Sequence, residues 1–179
     1  NTIKDITLNF GTFTTNNKNL TCYGFTSNNS NIRGLTLGSS TVTVTYNTWN
    51  TGGTNLTLNA GTSLIKFTAA TSFYLSAGTN ETYYDVLFQG NSSSNGNIYG
   101  GNSFHNVTFG TAPGTIGASI GASFHKVIFN GNGDINNNYS YDTLIFSAGY
   151  TYVLANAATQ TINNYFKADG TCSQPITIR

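Results

Sequence analysis

Apolar and polar residues alternate with a period of two in short segments of this chain, which is the pattern of half-buried β-strands. Four segments share one motif: an aromatic residue, two mostly polar residues, a Val or Leu, any residue, and Phe. They are YYDVLF at 83–88, FHNVTF at 104–109, FHKVIF at 124–129 and YDTLIF at 141–146. Their starting points lie 21, 20 and 17 residues apart, so the chain contains an internal repeat.

The spacing of this repeat predicts a β-solenoid. Antiparallel hairpins would bring neighbouring copies together through short turns, whereas these copies are separated by links rich in Gly, Asn and Ser. In a solenoid, each turn pairs its short strands with the same strands of the next turn. We therefore predict an all-β fold, a parallel β-helix with turns of about 17–30 residues. Because parallel crossover connections are almost always right-handed, we expect a right-handed coil.

The repeat also predicts which side chains fill the interior. Equivalent residues of successive turns lie about 4.8 Å apart, so similar side chains stack into columns. Single Ile residues of the links, Ile98, Ile116 and Ile135, are expected on the opposite wall. The three columns predicted from the repeat are Phe88, Phe109, Phe129 and Phe146; Val86, Val107, Val127 and Leu144; and Tyr83, Phe104, Phe124 and Tyr141.

The first half of the chain is less regular. Weaker copies of the repeat occur as IKDITL at 3–8, IRGLTL at 32–37 and GTNLTL at 53–58. TVTVTYNTW at 41–49 and SLIKFTAATSFYL at 63–75 are rich in β-branched and aromatic residues, so we interpret them as additional strands.

We expect one β-helix over 1–179, with irregular turns over 1–82 and regular turns over 83–179. The chain begins with Asn and ends in a strand-like segment, which favours a fragment of a longer protein.

The predicted solenoid separates the two cysteines. Cys22 and Cys172 would lie about seven turns, or roughly 30 Å, apart. A disulfide spans at most about 7 Å between Cα atoms. We therefore predict that the two cysteines are not bonded to each other.

Composition and charge exclude several functions. Charged residues make up 7% of the chain, and its net charge is +1. Nucleic-acid binding needs a clustered basic surface, which 7 dispersed Lys and Arg residues cannot form. The chain holds 26 Asn and 29 Thr, yet 13% of its residues are aromatic, so we expect it to fold rather than to be disordered. No apolar run approaches about 18 residues, so no membrane span is predicted.

Two histidines and one aspartate hold the second position of the motif in successive turns. His105, His125 and Asp142 would line up on one outer face, about 4.8 Å apart, and imidazole and carboxylate groups bind transition metals. These residues are therefore the candidate metal ligands. The alternative is a solvated polar position, since the preceding turn places Tyr84 there. Side chains in a line converge poorly on a tetrahedral ion, so we expect no bound metal and no cofactor.

The carboxylates of the chain form no pair suited to catalysis. Glycoside hydrolysis needs two carboxyl groups about 5–9.5 Å apart, whereas Asp85 and Asp142 are three turns apart in the predicted solenoid. We assign no catalytic residue and expect no enzyme activity. The acids considered are Asp5, Glu81, Asp85, Asp134, Asp142 and Asp169.

Aromatic and threonine side chains suggest two kinds of binding surface. Flat rows of Thr on a solenoid can order water, as in ice-binding proteins, but GTFTT at 11–15 and TVTVT at 41–45 do not recur at the period of the repeat. Exposed aromatic rings can stack on sugars, although the same residues could fill the core. The candidates for glycan stacking are Trp49, Tyr46, Tyr74, Tyr150 and Tyr152.

The motif copies FHNVTFG at 104–110 and FHKVIFNG at 124–131, and above all the closing stretch GYTYVLANAATQTINNYFKADGTCSQPITIR at 149–179, resemble repeat segments of known proteins. These are the very large secreted surface proteins of gliding bacteria of the Bacteroidetes type. The resemblance covers residues 83–179. It implies an exported cell-surface protein with parallel β-helix segments, and a role in adhesion or in secretion through the outer membrane by type IX machinery. It implies no catalytic residues.

Two functional hypotheses follow. In the first, the chain is a non-enzymatic structural or adhesive segment of an extracellular cell-surface protein. Its partners would be neighbouring domains of the same long chain, surface glycans or the secretion machinery. In the second, it is a carbohydrate-binding or carbohydrate-active β-helix, similar to a polysaccharide hydrolase or lyase. Binding to a glycan array would separate them.

Overall fold

The chain folds into stacked turns of β-strand. The computed structural model describes residues 3–46, 48–69, 72–78, 80–90 and 95–179. Within these ranges the strands pair in parallel with the equivalent strands of neighbouring turns, and there is no helix. The fold is therefore all-β, a parallel β-solenoid of about seven turns, which confirms the fold predicted from the repeat.

The strands, numbered in chain order, form three sheets. The nine-stranded sheet consists of β1 (Ile6–Thr7), β4 (Phe25–Thr26), β7 (Trp49–Asn50), β10 (Phe73–Ser76), β12 (Gly96–Tyr99), β14 (Gly114–Gly117), β16 (Gly133–Ile135), β18 (Thr151–Leu154) and β20 (Thr177–Ile178). The eight-stranded sheet consists of β3 (Leu20–Cys22), β6 (Thr41–Val44), β9 (Leu64–Phe67), β11 (Thr82–Phe88), β13 (Ser103–Phe109), β15 (Ser123–Phe129), β17 (Tyr139–Phe146) and β19 (Gln160–Ala168). The three-stranded sheet consists of β2 (Gly11–Thr14), β5 (Arg33–Thr36) and β8 (Leu56–Asn59).

The turns change shape in the middle of the chain. The first three turns contribute one strand to each of the three sheets, whereas the fourth turn passes from β10 directly to β11. β11 has 7 residues and β9 has 4. Asp85–Phe88 of β11 pair with β9, while residues 82–84 extend beyond it. This extension forms part of the candidate site.

The three columns predicted from the repeat are confirmed. Phe88, Phe109, Phe129 and Phe146 pair in register along the eight-stranded sheet and are buried. The centroids of successive rings are 5.0, 4.6 and 5.8 Å apart. The Val and Leu column and the second aromatic column pair in the same way, and their members are also buried.

Both segments interpreted as additional strands continue these columns into the first half of the chain. Val44 and Phe67 precede Phe88 in the phenylalanine column, because β6 pairs with β9 and β9 pairs with β11. Val42 and Ile65 extend the neighbouring column in the same way. The first strand of each segment, β6 or β9, therefore lies in the eight-stranded sheet in the register of the later motif, whereas the end of each segment belongs to β7 or β10 of the nine-stranded sheet.

The weaker upstream copies of the motif are wrong as a guide to register. IRGLTL contributes β5 to the three-stranded sheet, where Leu35 pairs with Leu58 rather than with Leu56, the residue that the motif alignment predicts. IKDITL contributes β1 to the nine-stranded sheet. The physical reason is that a Leu-Thr-Leu alternation fits any half-buried strand, so it does not distinguish one wall from another.

The opposite wall holds the predicted isoleucine column and a glycine column beside it. Ile98, Ile116 and Ile135 pair in register in the nine-stranded sheet and are buried. Gly96, Gly114 and Gly133 also pair in register. A Cβ atom on these glycines would lie 2.8, 2.3 and 2.7 Å from the rings of Phe88, Phe109 and Phe129, respectively. The glycines therefore make room for the phenylalanine column.

Cys22 and Cys172 are both free, which confirms that they are not bonded to each other. Cys22 is buried in the core, and Cys172 is exposed. Burial, and to a lesser extent the charge of Asp5, raises the pKa of the Cys22 thiol to about 11.

Across the described part of the chain, no helix is long and apolar enough to cross a membrane.

Candidate functional site

A groove of about 470 Å³ lies on the outer face of the eight-stranded sheet. Its floor is formed by the first halves of β11, β13, β15 and β17, and residues 58–61, which include the end of β8, also line it. Side chains alternate between the two faces of a strand. Because Phe104 points into the core, its neighbours Ser103 and His105 point outward into the groove.

Two rows of side chains run along this groove, parallel to the solenoid axis. One row consists of hydroxyl groups, and the other begins with three rings. Ser103 and Ser123 illustrate the first row, since the hydroxyl of Ser123 donates a hydrogen bond of 3.3 Å to that of Ser103. The hydroxyl row is Thr82, Ser103, Ser123 and Ser140, and the second row is Tyr84, His105, His125 and Asp142.

The rings of the second row stack on one another. The centroids of Tyr84 and His105 are 4.1 Å apart, and those of His105 and His125 are 4.9 Å apart, with interplanar angles of 15° and 12°. His105 is therefore covered by a ring on each side. Tyr84 ends the row, and within the described residues no second aromatic ring covers its other face.

Each histidine binds a carboxylate through Nδ1. His105 Nδ1 lies 3.0 Å from Asp85 Oδ1, which also accepts a hydrogen bond of 2.8 Å from Asn106. His125 Nδ1 lies 2.9 Å from Asp142 Oδ2. The hydrogen bonds from His125 and then Asn163 hold the pKa of Asp142 below its ordinary value. An ionised carboxylate only accepts hydrogen bonds, so Nδ1 of His125 donates to Asp142. At His105, the amide nitrogen of Asn106 also lies 2.9 Å from Nδ1, so this ring nitrogen has both a donor and an acceptor beside it.

The structure places the three candidate metal ligands in succession but gives them different roles. Asp142 is a hydrogen-bond partner of His125 on the following turn, and Asp85 plays the same part for His105. Over the ranges that the structure describes, no group of three His, Cys, Asp or Glu side chains converges. The motif position indicated the row of His105, His125 and Asp142, but it gave no signal for Asp85.

In the described part of the chain, none of the carboxylates Asp5, Asp134 and Asp169 is paired with a second carboxylate. Asp169 lies 3.9 Å from Lys167, and Asp5 and Asp134 are exposed.

Ser119 lies within the sequence GASIG at 117–121, which matches the nucleophile pattern of α/β-hydrolases. This segment joins β14 to β15 and is not followed by a helix, so it lacks the strand-turn-helix context that the nucleophile requires.

Sequence reasoning missed a buried polar network between the nine-stranded sheet and the start of β11. Glu81 Oε2 accepts hydrogen bonds of 2.6 Å from both Thr51 and Tyr83, and Trp49 donates one of 3.2 Å to the Tyr83 hydroxyl. Burial raises the pKa of Glu81, and burial together with the neighbouring Glu81 charge raises the pKa of Tyr83. Among the residues that the structure describes, Glu81 Oε1 is buried and has no hydrogen-bond partner. Glu81 is therefore part of the interior and not a surface acid.

Arg33 is also buried, with 1% of its surface exposed. Its guanidinium group donates hydrogen bonds to the backbone carbonyl oxygens of Ser27, Asn29, Asn31 and Thr54 and to the Ser27 hydroxyl. These bonds join the links of the second and third turns. No sequence signal distinguishes this arginine from a surface cation.

The candidates for glycan stacking separate into core and surface residues. Trp49 and Tyr152 are each 1% exposed and pack against Phe25 and Phe146, respectively, so neither offers a ring face to a ligand. Their large apolar rings fill the core, which was the alternative interpretation. Tyr150 is half-buried. Tyr46 and Tyr74 are exposed, and each lies near a second exposed tyrosine, Tyr23 or Tyr99.

The threonines do not form a long row on the eight-stranded sheet. Thr21 pairs with Thr43, but the next members of this outward column are Lys66 and Leu87. A charged and an apolar side chain therefore interrupt the flat hydroxyl surface that ordered water requires.

Comparison of the chain with protein-family models, with curated proteins and with solved structures found no match. The fold and the groove are therefore the basis of the functional argument.

Proposed function

We propose that the chain is a non-enzymatic structural and adhesive segment of a secreted cell-surface protein. Its adhesive surface is the groove on the outer face of the eight-stranded sheet, and this groove is the observation on which the proposal depends. The extracellular setting, the neighbouring domains and the secretion machinery as partners rest on the resemblance of residues 83–179 to the surface proteins of gliding bacteria.

The interior supports the structural part of this proposal. Buried columns run from β6 to β17 without a break, and each turn contacts its neighbours through parallel strand pairs. Stability in such an array is the sum of the turns and of the contacts between adjacent turns. A rigid stack of turns therefore holds its outer faces at a fixed distance from a neighbouring domain of the same protein.

The groove supports the adhesive part. Its described lining residues include a row of hydroxyls, two histidines, Tyr84 and the carboxylate of Asp142, and no Lys or Arg is among them. The negative charge of Asp142 disfavours an anionic ligand. Hydroxyl and imidazole groups both donate and accept hydrogen bonds, as sugar hydroxyls require. Tyr84 lines the groove at the end of the row, and its ring adds an apolar surface on which a sugar can stack. This combination fits an uncharged linear glycan that lies along the solenoid axis.

A glycan array probed with the full chain tests the proposal. We expect binding to uncharged linear glycans, weakened about 5-fold or more by Tyr84→Ala, since one aromatic contact contributes about 1 kcal/mol beyond its area. Tyr165→Ala removes an exposed tyrosine that does not line the groove and is not a candidate for glycan stacking, so it is the matched control. Absence of glycan binding, or equal effects of the two substitutions, would contradict the adhesive role.

The rival function is a carbohydrate-active enzyme, and the two histidine–carboxylate pairs in the groove are the observation that favours it. Product release from the bound glycans distinguishes the two. We expect none, and we expect Asp85→Ala and Asp142→Ala to release none either. Turnover that disappears with either substitution would replace the proposed function with a hydrolase or lyase.

A further inference from the structure

The three-stranded sheet ends at a strand with an open edge. β2, β5 and β8 stack over the first three turns, and the fourth turn passes from β10 to β11 without adding a strand to this sheet. Among the described residues, β8 pairs with β5 alone. We propose that the other edge of β8 binds an extended peptide, which joins the sheet as a fourth strand. This inference does not depend on the proposed adhesive function.

The backbone of β8 has the groups that such a peptide needs. The carbonyl oxygen of Asn55, just before β8, accepts a hydrogen bond of 3.0 Å from the N–H of Arg33 on β5. Backbone groups point to opposite edges of a strand at alternate residues. The N–H and C=O groups of Leu56 and Leu58 therefore face the open edge. A row of this kind is a template for a further strand, and an extended peptide pairs with it through its own backbone.

Open space lies along this edge. A cavity of about 450 Å³ separates β8 from the residues that join β10 to β11. The groove of about 470 Å³ continues along residues 58–61 and the start of β11. Leu58 lines both cavities, so they adjoin along the strand, and we call their shared border with β8 the β8 trough. Neighbouring strands lie about 4.8 Å apart, so a strand paired with β8 would lie in this trough.

The side chains of the sheet indicate the sequence pattern of the peptide. Phe13, Leu35 and Leu58 pair in register on the three strands, and Leu35 is buried whereas Leu58 is half-buried. An apolar side chain on a fourth strand would cover Leu58 as Leu58 covers Leu35. The neighbouring position, on the other face of β8, holds Thr57. We therefore expect a peptide in which apolar residues alternate with small polar ones.

The trough also holds a buried acceptor without a partner. Glu81 lines it with 6% of its surface exposed, and within the described ranges its Oε1 atom has no hydrogen-bond partner. A buried acceptor that lacks a partner costs free energy, so a ligand that donates a hydrogen bond to it is favoured. The described lining of the two cavities includes Glu81 and Asp142 but no Lys or Arg, which disfavours an acidic peptide.

Fluorescence anisotropy of a labelled synthetic peptide with the full chain tests the proposal. The probe is TNLTLNAG, the sequence of residues 54–61, because this sequence already pairs with β5 in the alternation expected. We expect saturable binding. A methyl group on the peptide nitrogens that correspond to Thr57 and Asn59 removes the N–H groups that face β8, so it should weaken binding at least about fivefold.

The control peptide carries the methyl groups at the positions that correspond to Leu56 and Leu58. In the register of β8 on β5, these nitrogens face away from the chain, so the affinity should stay unchanged. Absence of binding, or equal effects of the two methylation patterns, would overturn strand addition.

Amide hydrogen exchange locates the bound peptide without any substitution in the chain. We expect exchange at Leu56 and Leu58 to slow when the peptide binds, because their N–H groups gain partners. Thr57 alternates with them and faces β5, so its exchange should change less. Slower exchange around His105 and His125, with none at Leu56 and Leu58, would place the peptide elsewhere in the groove and contradict the proposal.

Two substitutions at one position separate the backbone contact from the side-chain contact. Leu58→Ala and Leu58→Pro both remove the leucine side chain, but only proline removes the N–H at the open edge, and it breaks no bond to β5. We expect Leu58→Pro to bind the peptide at least about fivefold more weakly than Leu58→Ala. Equal affinities would show that the edge of β8 does not pair with the peptide. Glycan binding is measured separately, so the two proposals can fail independently.

Discussion

At the scale of single residues, the interior depends on glycines as much as on phenylalanines. Gly96, Gly114 and Gly133 are the first residues of their strands, and a methyl group on any of them would meet a phenylalanine ring at less than 3 Å. The sequence alone indicates glycine as a turn residue. Its role here is to leave space across the core, which becomes visible only when both walls are in place.

Gly114→Ala should therefore destabilise the chain. The added Cβ would lie 2.3 Å from the Phe109 ring, and overpacking of a core costs about 1–3 kcal/mol. Gly117→Ala, on the same strand, is the control, because its Cβ would meet its nearest neighbour at 3.3 Å. Urea unfolding of both variants measures the free energies. Equal destabilisation by the two substitutions would show that the glycine column does not serve the phenylalanine column.

Glu81 should make stability depend on pH. Because burial raises its pKa above 4.5 in the folded chain, the folded state holds this proton more tightly than the unfolded state. The contribution of the proton is complete below pH 4.5 and is lost as the pH rises through the raised pKa. Glu81→Gln lacks this titration, so its unfolding free energy relative to the parent chain should increase over that range.

The measurement is the unfolding free energy of both chains between pH 4 and neutrality. Asp134→Asn, at an exposed carboxylate, is the control and should follow the parent chain. A Glu81→Gln profile that stays parallel to that of the parent chain would show that the buried network does not shift the titration of Glu81.

At the scale of the strands, the phenylalanine column joins successive turns. Phe109 is fully buried and stacks between Phe88 and Phe129. Phe109→Ala should reduce the free energy of unfolding by about 3–5 kcal/mol, because it removes a buried ring and leaves a cavity. Tyr99→Ala removes an exposed ring on the nine-stranded sheet and should cost much less. Chemical denaturation compares them, and similar losses would contradict the column.

The strands that were predictable are those in which one motif recurs. Aromatic and β-branched residues at fixed positions in 83–146 specify both the wall and the register, because a shift of one residue would turn them outward. The first half offered Leu and Thr in alternation, which fits all three walls. The third sheet, formed by β2, β5 and β8, was therefore not predicted.

The candidate site also contains features that could be predicted from the sequence and features that could not. The row of His105 and His125 follows from the register of the motif and was predictable. Their pairing with Asp85 and Asp142 depends on side-chain rotamers across adjacent turns, which the motif does not encode. Trp49 and Tyr152 were considered as surface residues because aromatic rings serve equally well in a core and in a sugar-binding surface.

At the scale of the whole molecule, the cysteines report on the distance between the two ends. Cys22 lies in the first turn, and Cys172 lies just before β20. We expect non-reducing mass mapping of the soluble monomer to find no peptide that links them. We also expect a thiol reagent to modify the exposed Cys172 in the folded chain and Cys22 only after unfolding. A linked peptide would show that the ends meet, as in a closed barrel.

The parallel stacking of turns in register is the central claim, and a series of spin-label distances tests it most directly. One outward column of the eight-stranded sheet begins at Thr43 for this purpose. Ile128, Ile145 and Lys167 belong to the same column and lie four, five and six turns after Thr43, respectively. Pulsed electron resonance on chains without native cysteines, labelled at position 43 and at one of the other three, measures the spacings. The solenoid predicts Cα separations of about 19, 24 and 29 Å, an increase of about 5 Å for each turn. Distances that fail to increase from one pair to the next would contradict it.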